Sequence, residues 1–223
     1  VGSEMCIRDR VECMYKVKEI FKSIQGEGFH TGKTAVFIRF SGCNLWNGIT
    51  KFRKKAVCNF CDTDFVGVDG QNGGNYSLEQ LIKKTLEIWG QGRSIQKKFI
   101  ILTGGEPLLQ VDEKLINELK KKNFYIAVET NGTIKTKLNF DWVAVSPKEN
   151  ASWNLKRGDE LKVVYPQNKI NLKEAIDLKF KYFFLQPMAN EFKQTNIIKT
   201  INYCKSHKPW FPSFQIHKSL GIS

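Results

Sequence analysis

The sequence predicts an α/β architecture built on a parallel sheet, and three observations predict it. Short apolar runs recur at residues 35–40, 99–102, 125–128, 142–145, 161–165 and 182–185. Each is too short for a helix, and most are rich in β-branched or aromatic side chains, which is the signature of buried strands. Helical stripes fall between several of these runs, and strands alternating with helices make parallel β/α units. Successive runs close on Ser41-Gly42-Cys43, Thr103-Gly104-Gly105-Glu106-Pro107, Glu129-Thr130-Asn131-Gly132, Ser146-Pro147-Lys148 and Gln186-Pro187-Met188. Polar and glycine residues gathered at the C-terminal ends of parallel strands are where such a fold places its chemistry.

The helices follow from their periodicity. Leu78, Leu81, Ile82, Thr85, Leu86 and Trp89 form one apolar stripe, opened by a Ser77…Gln80 capping box. Leu115, Ile116 and Leu119 mark a second helix, Leu172, Ala175, Ile176 and Leu178 a third, and Ile197, Ile198, Ile201 and Cys204 a fourth. Residues 67–75 carry four glycines and read as the clearest loop. Residues 1–14 share no pattern with the rest of the chain. They are expected to be a non-native or disordered leader, with Met14 a candidate start and residues 15–223 the functional domain.

Length and charge narrow the class. A chain of 223 residues suits a single domain. No run approaches the roughly 18 consecutive apolar residues of a membrane-spanning helix, and residues 1–12 lack the apolar core of a signal peptide. Thirty-five Lys and Arg against 22 Asp and Glu give a net charge of +13. A field of that sign attracts phosphates. The lysines, however, are scattered in short clusters such as Lys54-Lys55, Lys83-Lys84 and Lys120-Lys122, with no basic helix or arginine-rich arm. Direct nucleic-acid binding is therefore not expected. A basic zinc-binding RNA module is the rival from another class, and it leaves the strand-end residues unexplained.

Six cysteines in a chain able to bury its own core, with no export signal, are expected to be thiols in a reducing compartment, so the cytoplasm is the expected location. Cys6, Cys13 and Cys204 stand apart, and Cys204 at helical spacing reads as a small buried apolar residue. Cys43, Cys58 and Cys61 form the pattern C-x14-C-x2-C. A structural zinc site wants four closed ligands, and His30 could supply the fourth. An iron–sulfur cluster with one open iron needs only three. A thioredoxin motif would open a helix after a strand, whereas this C-x2-C sits in a long basic loop. Spacing alone leaves zinc and cluster both open.

The stretch Thr103-Gly104-Gly105-Glu106-Pro107 adds a second constraint. Paired glycines after a buried strand let a ligand approach the backbone, whose N–H groups can bind a carboxylate and whose carbonyls can receive an ammonium. One strand after a three-cysteine loop, this stretch resembles the radical S-adenosylmethionine superfamily, in which three cysteines hold a [4Fe–4S] cluster and Gly-Gly-Glu-Pro binds the methionine amino group. From Tyr15 to Ser223 the chain further resembles the 7-carboxy-7-deazaguanine synthase family. The carrying segments are Gln25-Gly26-Glu27-Gly28, Arg39-Phe40-Ser41-Gly42-Cys43-Asn44-Leu45-Trp46, Cys58-Asn59-Phe60-Cys61-Asp62-Thr63-Asp64-Phe65, Val128-Glu129-Thr130-Asn131-Gly132-Thr133, Val145-Ser146-Pro147-Lys148, Gln186-Pro187-Met188 and His217-Lys218. The stretched cysteine spacing matches a subgroup of that family.

The resemblance implies an abbreviated parallel β/α partial barrel of about six strands, and a lyase. Cys43, Cys58 and Cys61 would ligate the cluster. A radical generated from S-adenosylmethionine would start the contraction of 6-carboxy-5,6,7,8-tetrahydropterin to 7-carboxy-7-deazaguanine, with loss of ammonia, on the route to queuosine and other deazapurines. Phe60, Cys61, Asp62, Gly105, Ser146, Pro147, Lys148, Gln186, Pro187, Met188 and Ala189 would contact S-adenosylmethionine. Ile24, Gln25, Gly26, Glu27, Arg39, Thr103, His217 and Ser223 would contact the pterin, and Thr63 would hold Mg²⁺. No catalytic side chain is expected beyond the cluster and S-adenosylmethionine. A flavodoxin- or ferredoxin-type electron donor and a homodimer are also implied. Another radical S-adenosylmethionine enzyme, such as a glycyl-radical activase, is the alternative. Two departures stand out: Ala189 replaces the family's usual acidic residue, and the chain ends Gly221-Ile222-Ser223 where the family commonly ends Gly-Ile-Pro. Arg39 also has a plainer reading, as a strand residue salt-bridged across the sheet.

Overall fold

A computed structural model describes residues 14–90 and 97–222. The leader (apart from Met14), Cys6, Cys13 and Ser223 lie outside the described residues. The elements run β1 (Tyr15–Ile24), β2 (Thr34–Phe40), a 3₁₀ turn (Thr50–Lys55), β3 (Gly74–Tyr76), α1 (Leu78–Trp89) and β4 (Lys98–Gly104). After them come α2 (Glu113–Lys121), β5 (Phe124–Thr130), β6 (Trp142–Val145), β7 (Glu160–Tyr165), α3 (Leu172–Ala175), β8 (Tyr182–Pro187), α4 (Lys193–Ser206), β9 (Trp210–Pro212) and α5 (Ile216–Leu220).

The six expected strands are β2 and β4 to β8. Among the described residues they belong to a nine-stranded sheet of order β3-β1-β2-β4-β5-β6-β7-β8-β9. The strands from β2 to β9 pair in parallel, whereas β1 runs antiparallel to both β2 and β3. The sheet ends at β3 and β9 without closing, so the partial barrel is as expected and gains β1, β3 and β9. β1 escapes a reading by apolar runs because Lys16, Lys18, Glu19 and Lys22 interrupt it. The glycine loop at residues 67–75 contributes the start of β3, and its backbone is docked on β1 through Ile20 N–H to Gln71 O (2.8 Å) and Gly70 N–H to Lys18 O (3.0 Å).

Alternation along β4 shows how the core is divided. Ile100 and Leu102 face outward into the cluster formed with Leu81 of α1 and Leu115, Ile116 and Leu119 of α2. Phe99 and Ile101 face inward with Phe37, Ala127, Trp142 and Ala144. Successive strand residues point to opposite faces, so the next inward position on β4 is Thr103, beside Arg39 of β2. A greasy barrel floor thus continues upward into a polar rim.

The connection between β1 and β2 fills the inner face. Phe29 stacks on Trp142 (4.8 Å) and Tyr182 (4.3 Å), and His30 lies edge-on to Phe99 (5.0 Å). Burial pulls the His30 pKa down to about 4. The C-terminal segment then packs over this connection: Gly28 N–H donates to Ser213 Oγ (2.9 Å) and Ile216 N–H to Gly26 O (3.2 Å).

The first helix opens as expected, with Ser77 and Gln80 bonding reciprocally. Two stripes need correction. The third helix stops at Ala175, so Ile176 and Leu178 lie past its end. On α4 the buried residues are Asn196 and Thr200, while Ile198 is 53% exposed. Asn196 is drawn inward because its amide donates to Met188 O and Asn190 Oδ1 (both 3.0 Å), anchoring the end of β8. Cys204 is half-buried on the same helix.

Asp112 caps α2 by accepting from Leu115 N–H (2.9 Å), and the same oxygen accepts from the Tyr15 hydroxyl (2.8 Å), tying the helix to β1. Replacing an N-cap aspartate with alanine costs about 1–2 kcal/mol. Urea unfolding of Asp112→Ala is expected to show that loss, with Asp112→Asn retaining most of the stability.

Candidate active site

The rim of the partial barrel encloses an open cavity of about 320 Å³. Its walls are built from strand ends, so each site residue is placed by the register of the sheet. Cys43 follows β2, Thr103 to Gly105 end β4, Glu129 to Asn131 end β5, and Ser146 and Lys148 follow β6.

Two backbone segments are in close contact at one side of this rim. Gly105 N–H donates to Phe40 O (3.2 Å) and Glu106 N–H to Gly42 O (2.9 Å). A Cβ on Gly105 would stand 1.9 Å from the Gly42 carbonyl oxygen and 3.0 Å from Cys43 Cβ, so only glycine fits there. Of the paired glycines, Gly105 has its N–H taken by Phe40 O, as Glu106 beside it has its own taken by Gly42 O. The Glu106 side chain turns inward and is fully buried. It accepts from the Thr130 hydroxyl (2.8 Å), Asn131 N–H (2.8 Å) and Leu108 N–H (3.1 Å). Burial pushes its carboxyl up, against those three bonds.

The three cysteines line the cavity as free thiols. Cys58 donates to Cys61, which pushes the Cys58 thiol well up and lowers Cys61 to about 6; burial pushes Cys43 up. Among the described residues no three His, Cys, Asp or Glu side chains converge to hold one metal ion. His30, the possible fourth zinc ligand, is packed among the floor aromatics instead. Three thiols on one cavity wall are the donor set of a cluster that takes three cysteines. Arg53 shapes the stretched loop: its guanidinium donates to Cys61 O (2.8 Å) and Asn59 O (3.3 Å) and lies 4.0 Å over the Trp46 ring.

Of the residues expected at S-adenosylmethionine, Phe60, Cys61, Asp62, Gly105, Ser146 and Lys148 line the cavity, as do Gln186, Pro187 and Ala189. Pro147 is buried behind the wall, and Met188 is outside the lining, with its carbonyl held by Asn196. Lys148 donates to Ser146 O (2.6 Å) and Oγ (2.8 Å); burial pulls its pKa down, against the attraction of Cys58 and Cys61. Thr63 lines the same cavity.

The expected pterin contacts Ile24, Gln25, Gly26, Glu27, Arg39, Thr103 and His217 also line it, while Ser223 is outside the described residues. Arg39 lines the cavity and is also salt-bridged across the sheet. Its Nε donates to Glu19 Oε1 (2.6 Å) across the β1–β2 pair, and a guanidinium carries further N–H donors. A Cβ on Gly26 would lie 2.1 Å from His217 Nδ1, so glycine at that position lets α5 seat against the β1–β2 connection.

Five residues for which no ligand contact was expected complete the wall: Glu129, Lys162, Gln215, Lys218 and Asn131. Glu129 accepts from the Thr103 hydroxyl (2.9 Å) and the Gln25 amide (3.0 Å). Lys162 bonds Glu27 Oε2 at 2.5 Å. The Gln215 amide bridges Glu27 (2.8 Å) and Asp62 (3.1 Å), and Lys218 pairs with Asp62. Asn131 donates to Asn44 beside Cys43 (2.9 Å). Glu129 and Asn131 carried the right signal, as polar residues ending a strand. Lys162 carried another, a charge in the middle of an otherwise apolar run. Gln215 carried none.

Comparison with known proteins accords with this geometry. Residues 52–149 match the family model of the Radical SAM superfamily, which is the class this fold and this trio of thiols define. That span takes in Cys58, Cys61 and the Gly-Gly-Glu-Pro stretch, and Cys43 falls before it. The chain is 46% identical over 209 residues to the 7-carboxy-7-deazaguanine synthase of Burkholderia multivorans, covering 93% of this chain and 99% of that one. It is 47% identical, with the same coverage, to the enzyme of that name from Caulobacter vibrioides. The crystal structure of QueE from Escherichia coli superposes with a TM-score of 0.66 at 25% identity, over 90% of this chain and 93% of the other. The chain belongs to the 7-carboxy-7-deazaguanine synthase family.

One consequence of the wall chemistry can be measured without any ligand. Burial alone would push the Glu27 carboxyl up, but the Lys162 ammonium overrides it, helped by the Gln215 amide, and lowers the pKa from 4.5 to about 2. A depressed carboxylate pKa contributes stability that is present above the unfolded value and lost as pH falls through the folded one. Glu27 therefore contributes above pH 4.5, and the contribution disappears between there and about 2. Urea unfolding of the cluster-free chain across that window is expected to show an acid limb that is shallower in Glu27→Gln.

Proposed function

We propose that this chain is a 7-carboxy-7-deazaguanine synthase, converting 6-carboxy-5,6,7,8-tetrahydropterin to 7-carboxy-7-deazaguanine with loss of ammonia. The observation that carries this reading is a single cavity lined both by the three thiols and Gly105 and by the polar set Gln25, Glu27, Arg39, Thr103, Glu129 and His217. Cofactor and pterin would sit side by side in it.

Cys43, Cys58 and Cys61 would hold the [4Fe–4S] cluster, with S-adenosylmethionine bound beside it. When bound and reduced, this pair supplies hydrogen-atom abstraction. The protein's own task is to bind, orient and exclude water. Glycine at position 105 brings the Gly-Gly-Glu-Pro carbonyls beside Cys43, where they can receive the methionine ammonium. Ser146, Lys148 and Gln186 to Ala189 would contact the remainder of the cofactor, with Ala189 contributing no carboxylate. Arg39 would meet the pterin carboxylate through the guanidinium nitrogens that Glu19 does not occupy, because planar paired donors match a carboxylate. The acceptors of Glu27, Gln25 and Glu129 would meet the donor edge of the ring. His217, its pKa lowered by burial, would contact the ring as neutral imidazole.

Thr63 would offer one oxygen to Mg²⁺, an ion that keeps several waters and takes further ligands from its substrate. That ion would clamp the substrate carboxylate. In this reading residues 15–223 form the catalytic domain, an external flavodoxin- or ferredoxin-type protein supplies electrons, and the enzyme is a cytoplasmic homodimer. Among the described residues no helix is long and apolar enough to cross a membrane.

Anaerobically reconstituted protein, given the carboxytetrahydropterin, Mg²⁺, a reductant and substoichiometric S-adenosylmethionine, is expected to yield more deazaguanine product than cofactor supplied. Absence of product from cluster-loaded protein would overturn the proposal. Charge-assisted hydrogen bonds are worth about 1.5–3 kcal/mol, so Arg39→Lys should lose roughly 10- to 100-fold in kcat/KM. Thr63→Ala should weaken the rate response to added Mg²⁺.

A further inference from the structure

Lys162 occupies the middle of β7 between the buried apolar residues Leu161 and Val163, and is itself 6% exposed. Strand alternation sends Leu161 and Val163 into the outer core and Lys162 to the inner face. There its Nζ lies 2.5 Å from Glu27 Oε2 and 3.8 Å from Glu129 Oε1. Glu27 comes from the β1–β2 connection and Glu129 from the end of β5, so two remote segments meet at one ammonium. Other groups fix the same carboxylates: Gln215 on Glu27, and Gln25 and Thr103 on Glu129. Ionised carboxylates have about four acceptor sites each, so both retain capacity for a ligand in the cavity they line.

We infer that Lys162 is a positioning residue: its ammonium fixes Glu27 and Glu129 as a pair of anionic acceptors on one cavity wall, selecting a heterocycle with adjacent N–H donors on one edge. The inference rests on the pterin reading of this site, since the aminopyrimidinone edge of a pterin is such an edge.

The charges around Lys162 explain why a cation is required. Three carboxylates act on it, Glu27, Glu129 and Glu160, the last buried at the start of β7, where burial pushes its carboxyl up. Burial would pull the Lys162 ammonium down, but those three anions hold it well above the ordinary lysine range. Lys148 and His217 are the other titratable groups whose charges couple to Lys162. Neighbouring buried carboxylates without a counter-ion cannot all stay ionised near neutrality. A proton taken up by Glu27 would turn an acceptor into a donor, facing the donor edge of the ligand. A lost cation should therefore appear as a pH-dependent loss of binding rather than a uniform one.

The test measures binding of 6-carboxypterin, by its fluorescence, to the reconstituted chain between about pH 5.5 and pH 7.5, below the pH at which the pterin ring loses its own N–H proton. Wild type and Lys162→Arg should bind with similar, weakly pH-dependent affinity. Lys162→Met should weaken roughly tenfold per pH unit below the new carboxyl pKa and approach wild type toward the upper end of that range. Lys162→Gln, which keeps a donor but not the charge, should behave like Lys162→Met and serves if the methionine variant does not fold. Unchanged affinity in both uncharged variants, or a loss equal at every pH, would overturn the inference. A second arm needs no pterin: with ¹³C-labelled glutamate, NMR should show Glu27 ionised throughout this range in wild type. Glu27 titrating there in wild type would also overturn it. If wild type does not bind 6-carboxypterin at any pH, the pterin reading fails and the NMR arm still decides the role of Lys162.

Discussion

The contact between the Gly42–Cys43 turn and the Gly104–Gly105–Glu106 turn is the constraint on which the site depends. Two strand ends can lie this close only because Gly105 has no side chain: a Cβ there would collide with the Gly42 carbonyl. The approach is held by backbone hydrogen bonds from Gly105 to Phe40 and from Glu106 to Gly42. It is then locked from beneath by the buried Glu106 carboxylate, which reaches the Thr130 hydroxyl and the Asn131 amide on the next strand. Asn131 in turn bonds Asn44, the neighbour of Cys43. Three consecutive strand ends of the sheet are thereby set in one geometry, and the first cysteine is set beside the glycine turn.

A different kind of interaction organises the other half of the cavity. Glu27, Glu129, Glu160 and Lys162 are charges removed from most of the solvent, which is costly unless each finds partners. Here they find one another together with Gln25, Thr103 and Gln215. Such an arrangement is weak as a device for stability and strong as one for holding acceptors at a fixed place. The cost falls on the wall of the cavity, while the hydrophobic clusters on both faces of the sheet hold the fold together.

Much of this was legible in the sequence because periodicity and strand-end chemistry are local. The six inner strands, the Ser77 cap and the rim loops were visible from residue spacing alone. β1 was not, since its lysines and glutamate interrupt the apolar pattern and its place is set by pairing with β2. The fourth helix misled because Asn196 faces inward to bond the Met188 carbonyl, so its burial follows hydrogen bonding and not hydropathy. Spacing could not choose between zinc and cluster for the thiols. Only the fold shows His30 among the floor aromatics, out of the cysteines' company. Lys162 and Gln215 became site residues only through contacts spanning more than a hundred residues of chain.

The most direct test of the account is low-temperature electron paramagnetic resonance of the reduced, reconstituted protein before and after S-adenosylmethionine is added. In the proposed arrangement Cys43, Cys58 and Cys61 would leave one iron for the methionine end of the cofactor, so the [4Fe–4S]⁺ signal should change its g-values on addition. A signal that stays the same when saturating cofactor is present would mean that no iron is open at this rim, and would contradict the assignment of Cys43, Cys58, Cys61 and Gly105.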